Sequence, residues 1–302
     1  VHVSAPFQCK AERKNLVLTL LIDVSDSMNT PSSLNNDTRS APPTLFEVLK
    51  FGLEQMTESL KEGDIVNIIT FSEDPSIKLE NYTYNPADST YLNTVRSLTT
   101  LSATDLEKGI NEAYRVANKY YDSNHINRVV ILTDAFANRG ELDPTMIGQR
   151  TAINNQEGIY FSGIGFGEKF NESFLNELTE KGKGAYFSVA SKSDAQRVFQ
   201  DKFMALMNVA ARNVRFRLEY PAVFKHGESA AEQSSKILSE VLPTNFSYNT
   251  SQYFWEQFKS SKEIGVLDQQ ISLRIFYTDP TTFTSRTEVY NKTIGELIDK
   301  ER

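Results

Sequence analysis

Between Asn15 and about Asn208, apolar and polar positions follow two alternating patterns: short, nearly continuous apolar runs, and stripes with apolar residues three and four apart. Leu16-Val17-Leu18-Thr19-Leu20-Leu21-Ile22 is the first run. Its lack of alternation predicts a central parallel strand buried on both faces. Asp64–Phe71, Arg128–Asp134, Gly158–Gly165 and Ala185–Val189 predict further strands. Thr44–Leu60, Thr90–Leu98, Leu106–Tyr121, Pro144–Gln156, Glu172–Thr179 and Asp194–Met207 predict the helices between them, and Asn29–Pro43 reads as a polar loop. Repeated β-α units with short links predict an α/β fold: a doubly wound, mostly parallel sheet with helices on both faces.

Beyond Ala211 the period changes to two. Asn213–Tyr220 and Gln269–Tyr277 alternate and are stopped by Pro221 and by Asp279-Pro280. Lys236–Leu242, Gln252–Phe258 and Thr287–Thr293 read as strands of the same kind, so this part predicts an antiparallel, sandwich-like β unit. Val1–Lys10 is strand-like and too short to stand alone, and it is expected to pair with that unit. The expected organisation is an α/β domain over residues 14–208 inserted into, or followed by, a β-rich domain of residues 1–13 and 209–302.

The 302 residues are enough for ample core, and no apolar run approaches the roughly 20 residues that span a bilayer. No leader-like segment is evident, and a chain starting on Val1 reads as a piece or processed product of a longer protein. A net charge of −7 speaks against nucleic acid as a partner. The lone Cys9 excludes an internal disulfide. The Asn-x-Ser/Thr triplets at Asn36, Asn81, Asn171, Asn245, Asn249 and Asn291 are read as products of an Asn- and Ser-rich composition rather than glycosylation sites.

The first apolar run ends on Asp23-Val24-Ser25-Asp26-Ser27. In an open parallel sheet, ligands bind beyond the carboxyl ends of the strands. A carboxylate and two hydroxyls there form a set of hard oxygen donors suited to a divalent cation such as magnesium. A second apolar strand ends on Asp134, and Leu101-Ser102-Ala103-Thr104-Asp105 brings a threonine just before a helix. Thr104-Asp105-Leu106-Glu107 also reads as a capping box.

Asp23, Ser25, Ser27, Thr104 and Asp134, in this order and context, resemble the metal-ion-dependent adhesion site of von Willebrand factor A domains, a set that integrin inserted domains share. The likeness spans roughly Lys14–Asn208. It extends to Gly63-Asp64-Ile65-Val66, Ile164-Gly165-Phe166-Gly167 and Gly182-Lys183-Gly184-Ala185-Tyr186-Phe187. It is greatest to bacterial envelope proteins with β-rich flanks, with the inter-alpha-trypsin inhibitor heavy chains more distant. Asp26 and Ala135 stand where many members have glycine.

The resemblance implies a non-enzymatic adhesion or protein-binding module. Its five site residues would hold Mg2+, with Mn2+ or Ca2+ as alternatives, and the ion would take a carboxylate from an Asp or Glu of a partner protein. It also implies an extracytoplasmic place, periplasmic, cell-surface or secreted. Two alternatives stand beside it: a magnesium-dependent, phosphatase-like hydrolase, and a scaffold whose ion recognises nothing. A hydrolase would want a placed base and a cation for developing charge. His2, His125 and His226 are scattered, and Arg139 is the one cation near the candidate loops in sequence. The aromatics Tyr248, Tyr253, Phe254 and Trp255 are expected in the core.

Overall fold

A computed structural model describes residues 2–32, 41–101, 105–134, 158–168, 170–231, 235–241, 243–260, 267–280 and 282–298. The chain divides into two compact units, Gln8–Asn208 and a smaller one of Val1–Phe7 with Val209–Arg302. Strand β1 (His2–Ser4) belongs to the smaller unit.

The larger unit is built on a six-stranded sheet. Its strands are β2 (Leu16–Asp23), β3 (Ile65–Phe71), β4 (Ser76–Thr83), β5 (Ile126–Thr133), β6 (Ile159–Phe166) and β7 (Lys183–Val189), in the order β4-β3-β2-β5-β6-β7. Every pairing is parallel except that of β4 with β3. All eight residues of β2 are buried, as a strand covered on both faces requires. One face packs against α1 (Leu45–Gln55), α2 (Thr90–Ser97), α5 (Lys192–Phe199) and α6 (Phe203–Met207). The other packs against α3 (Leu106–Lys119) and α4 (Glu172–Lys181). From β2 the chain moves to β3 on one side, and β5 later joins on the other. The switch in strand order therefore falls between β2 and β5, where such sheets open a crevice.

Close approach of α3 to the sheet depends on Gly109. A Cβ there would lie 2.9 Å from both Cβ and Cγ of Phe71, which is itself buried. Gly109→Val is expected to destabilise the protein by about 1–3 kcal/mol through overpacking, measured as a shift in urea midpoint. An unchanged midpoint would show that α3 can move away at no cost.

Several sequence expectations are corrected. The edge strand β4 has no counterpart in the sequence reading: none of its residues is fully buried, and a register irregularity near Asn81 (φ +51°) breaks its alternation. The helix expected over Asp194–Met207 is two helices, α5 and α6. The second is buried over all five residues and so has no polar face with which to continue an amphipathic stripe. The cap of α3 is Asp105, whose side chain accepts from Lys108 N–H at 3.0 Å, rather than Thr104. The expected helix over Pro144–Gln156 lies outside the described residues.

In the smaller unit, β1 pairs antiparallel with β11 (Ser251–Tyr253), so the N-terminal segment does join the C-terminal part, over fewer residues than expected. A four-stranded antiparallel sheet has the order β10 (Thr244–Ser247), β8 (Val209–Glu219), β13 (Gln270–Thr278), β14 (Ser285–Thr293). A two-stranded ribbon pairs β12 (Glu256–Ser260) with β9 (Phe224–Ser229), and a short helix, α7 (Ile294–Leu297), follows β14. Aromatic contacts run within and between these sheets: Phe216 meets Phe246 of its own sheet and Phe254 just before β12, and Phe258 meets Phe224 of its own ribbon and Tyr220 just after β8.

The expected strand over Gln252–Phe258 is thus two strands with different partners. Lys236–Leu242 holds a 3-10 turn at Leu238–Glu240 instead of a strand. There Ser235 Oγ accepts from Ile237 N–H and donates to Glu240, giving the backbone a local alternative to a ladder. Tyr253 and Trp255 are not core: they are 75% and 57% exposed.

Candidate functional site

Two neighbouring parallel strands deliver two carboxylates to one end of the sheet. β2 and β5 pair with Ile22 opposite Leu132, so Asp23 closes one strand and Asp134 immediately follows the other. Each is 1% exposed. Asp23 Oδ1 accepts from the backbone N–H of Ser25 at 2.9 Å, and Oδ2 accepts from Thr133 Oγ1 at 2.6 Å. Thr133 is a residue of this site that the sequence pattern does not single out. Its one available signal is position: a hydroxyl residue opposite Asp23 on the adjacent strand.

Burial is the main reason the Asp23 carboxyl is raised to about 6, and the negative charge of Asp134 pushes the same way. Hydrogen bonds from Thr133 and Ser25 oppose the shift without cancelling it. No cation among the described residues acts on Asp23.

After Asp23 the chain turns through Val24 and Ser25 into a 3-10 turn at Asp26–Asn29. The buried side chain of Met28 anchors that turn in the core. Ser25, 1% exposed, brings its Oγ to 2.9 Å from the Oγ of half-buried Ser27, while Asp26 points to solvent. Asn29 is tied to the next loop through Thr100 Oγ1 at 3.0 Å.

Thr104 lies outside the described residues, as do Ala135 and Arg139. The residues flanking Thr104 are tied to the strand ends: Leu101 N–H donates to Val24 O, and Asp105 N–H donates to Ser72 O at 2.6 Å. The structure thus gathers Asp23, Ser25, Ser27 and Asp134 at one end of the sheet.

These donors are all oxygens, and two are buried carboxylates held side by side. That chemistry fits a hard divalent cation, because oppositely charged metal would relieve both desolvation and mutual repulsion. No group of three or more His, Cys, Asp or Glu side chains suited to a metal occurs among the described residues, so the set differs from nitrogen- and sulfur-rich zinc sites. His125 pairs with Asp122 at 2.9 Å just before β5, at the strand end opposite Asp134. His2 and His226 belong to the smaller unit.

The raised Asp23 carboxyl has a stability consequence. The folded state holds this proton more tightly than an unfolded chain, whose carboxyl titrates near 3.8. In metal-free protein, Asp23 is therefore expected to cost nothing at low pH. Its penalty should grow as pH rises from about 4 and reach about 3 kcal/mol above 6. Urea denaturation with chelator at pH 5 and pH 7.5, for wild type and Asp23→Asn, measures this. The variant should gain on the wild type at the higher pH, and parallel profiles would refute the assignment.

Residues 18–137 match the model of the von Willebrand factor type A domain family. Over 205 residues the chain is 25% identical to the uncharacterized protein YfbK of Escherichia coli K12, covering 67% of this chain and 33% of that protein. Over 230 residues it is 28% identical to inter-alpha-trypsin inhibitor heavy chain H3 of Mus musculus, covering 73% of this chain and 24% of that one. The chain spans about a third or less of the length of these curated relatives. Among solved structures, a von Willebrand factor type A protein from Catenulispora acidiphila aligns with a TM-score of 0.58 at 13% identity, over 93% of this chain and 66% of that chain. Domains of this family often mediate interactions between proteins. The sheet order, the acidic strand ends and the matched residues together identify a von Willebrand factor type A domain in this chain, accompanied by the antiparallel sheets of its C-terminal region.

Proposed function

We propose that the chain is a non-enzymatic, divalent-cation-dependent protein-binding module. Asp23, Ser25, Ser27, Thr104 and Asp134 would hold the ion, Mg2+ first and Mn2+ or Ca2+ as alternatives. The ion would supply an electrophilic position for a carboxylate oxygen from an Asp or Glu of the partner. One observation carries this reading: a buried Asp23 carboxylate, kept in place by Ser25 and Thr133, beside a second buried acid and with no described cation to balance it.

Neutral hydroxyls would leave the ion's charge only partly compensated, which favours an acidic partner. His125, the one histidine in the sequence of the larger unit, stands at the strand end opposite Asp23, which speaks against a hydrolase that would want a histidine base there. Among the described residues no helix is long and apolar enough to cross a membrane. An extracytoplasmic place follows the common habit of the family. We further propose that residues 14–208 form the binding domain, with 1–13 and 209–302 as its β-rich flank.

Calorimetric titration of metal-stripped protein with Mg2+, Mn2+ and Ca2+ tests the proposal. One-site binding is expected for at least one ion. No heat or protection with any of the three would remove the cation from the mechanism and leave a scaffold.

A further inference from the structure

The four-stranded sheet of the smaller unit carries a charge pattern at odds with the chain's net charge of −7. Its register sets Arg217 opposite Arg274, Arg215 opposite Phe276 and Arg212 opposite Thr278. Cross-strand partners share a face, and the register shift between Phe276 and Thr278 brings Arg212 to the same side as Arg215. The other face takes Phe216, Leu218, Leu273 and Ile275, with Phe216 against Phe246 and Phe254. The arginines therefore occupy the face turned away from the apolar packing.

Like charges directly opposite one another destabilise an antiparallel pair, so the Arg217–Arg274 pairing is a cost within the isolated sheet. On this face of β8, β13 and β14 the one carboxylate is Glu219, which accepts from Arg274 Nε at 2.9 Å. Arg215 Nε donates to Val241 O at 2.9 Å, and the exposed Arg217 has no partner among the described residues. Arg212 lies over the ring of Phe283 at 5.2 Å, and Phe283, in the loop between β13 and β14, is 67% exposed. Val289, opposite Arg274, is 43% exposed.

We infer that this face is a docking surface for an anionic lipid bilayer, with the arginines on acidic headgroups and Phe283 entering the interfacial layer. Charge complementarity selects an anion. The geometry selects an extended one: exposed Arg217 and half-buried Arg212, Arg215 and Arg274 are spread along two paired strands, alternate residues of a strand standing about 7 Å apart, rather than converging in a cleft. An exposed aromatic ring beside basic side chains has the composition of an interfacial contact.

The test is co-sedimentation of the full chain with vesicles of phosphatidylcholine alone or mixed with phosphatidylglycerol, at low and high salt. Binding is expected to the mixed vesicles only and to fall with salt. Arg217→Gln should lower the partition coefficient roughly five-fold, Arg217→Glu with Arg274→Glu considerably more, and the double Arg→Lys variant little. Glu219→Gln should raise it roughly five-fold on the mixed vesicles alone, with no added sedimentation without lipid or with phosphatidylcholine, which separates the gain from aggregation. Equal binding to both vesicle types, no binding to either, or indifference to the three charge-changing variants would overturn the inference. So would binding to soluble polyphosphate with none to vesicles.

Discussion

Asp23→Asn is expected to weaken Mg2+ binding by roughly 100-fold or more while making the metal-free protein more stable at neutral pH. The two effects have one cause. Asp23 is almost inaccessible, its carboxyl is raised to about 6 chiefly by burial, and Asp134 adds repulsion. Folding therefore carries an unbalanced buried anion at pH 7, which a cation would balance. Asparagine keeps the shape and can still accept from the Ser25 N–H, but it removes the charge. A purely structural aspartate would behave differently, since breaking its hydrogen bonds to Ser25 and Thr133 would lower stability at every pH. Titration calorimetry gives the affinity and urea denaturation with chelator gives the stability. Unchanged Mg2+ affinity in this variant would sink the assignment of Asp23 as a ligand.

The acidic end of β2 was legible because two independent sequence signals coincide there. An unbroken apolar run marks a buried strand, and Asp23, Ser25 and Ser27 follow it at once. Asp134 was legible for the same reason at the end of β5. Thr133 was not, because its role depends on which strand lies beside β5, and pairing order is a long-range property. The cap at Asp105 was misassigned by one residue, since adjacent Thr104 and Asp105 are both good caps and the local pattern does not rank them.

The smaller unit was less legible in detail. Strands β13 and β14 were legible, from the alternation of Gln269–Tyr277 and from Thr287–Thr293, but their partners and the shorter strands around them were not. Strand β9 carries Lys225, His226 and Glu228 among few apolar residues and gave no periodic signal. The break between α5 and α6 was hidden because both sides are rich in apolar residues, Val198-Phe199 before it and Phe203–Met207 after.

Asp64→Ala is expected to destabilise the protein by about 3–5 kcal/mol, with no change in cation affinity of the folded state. Asp64 opens what the sequence presents as an ordinary strand, yet its side chain is fully buried and paired with that of Arg13. Its oxygens accept from both terminal nitrogens of Arg13, from Leu16 N–H at 2.9 Å and from Lys61 N–H at 2.9 Å. Arg13 also donates to Ser59 O at 3.1 Å and Lys14 O at 3.0 Å. The pair thus fixes the start of β2 to the turn before β3, where Gly63 takes φ +87° with Asn15 close by. Removing the carboxylate strands a buried guanidinium and leaves two backbone donors without acceptors, and each loss is costly in a dry interior. Replacing both partners with apolar residues, Arg13→Met and Asp64→Leu, should recover much of the loss, because an apolar pair needs no desolvation of charge. A double-mutant cycle on urea midpoints separates the pairing energy from burial. Because Asp64 lies at the strand end opposite Asp23, Mg2+ titration of the folded variant should match wild type. A single-mutant loss below about 1 kcal/mol would mean that water reaches the pair and that this latch does not hold the sheet.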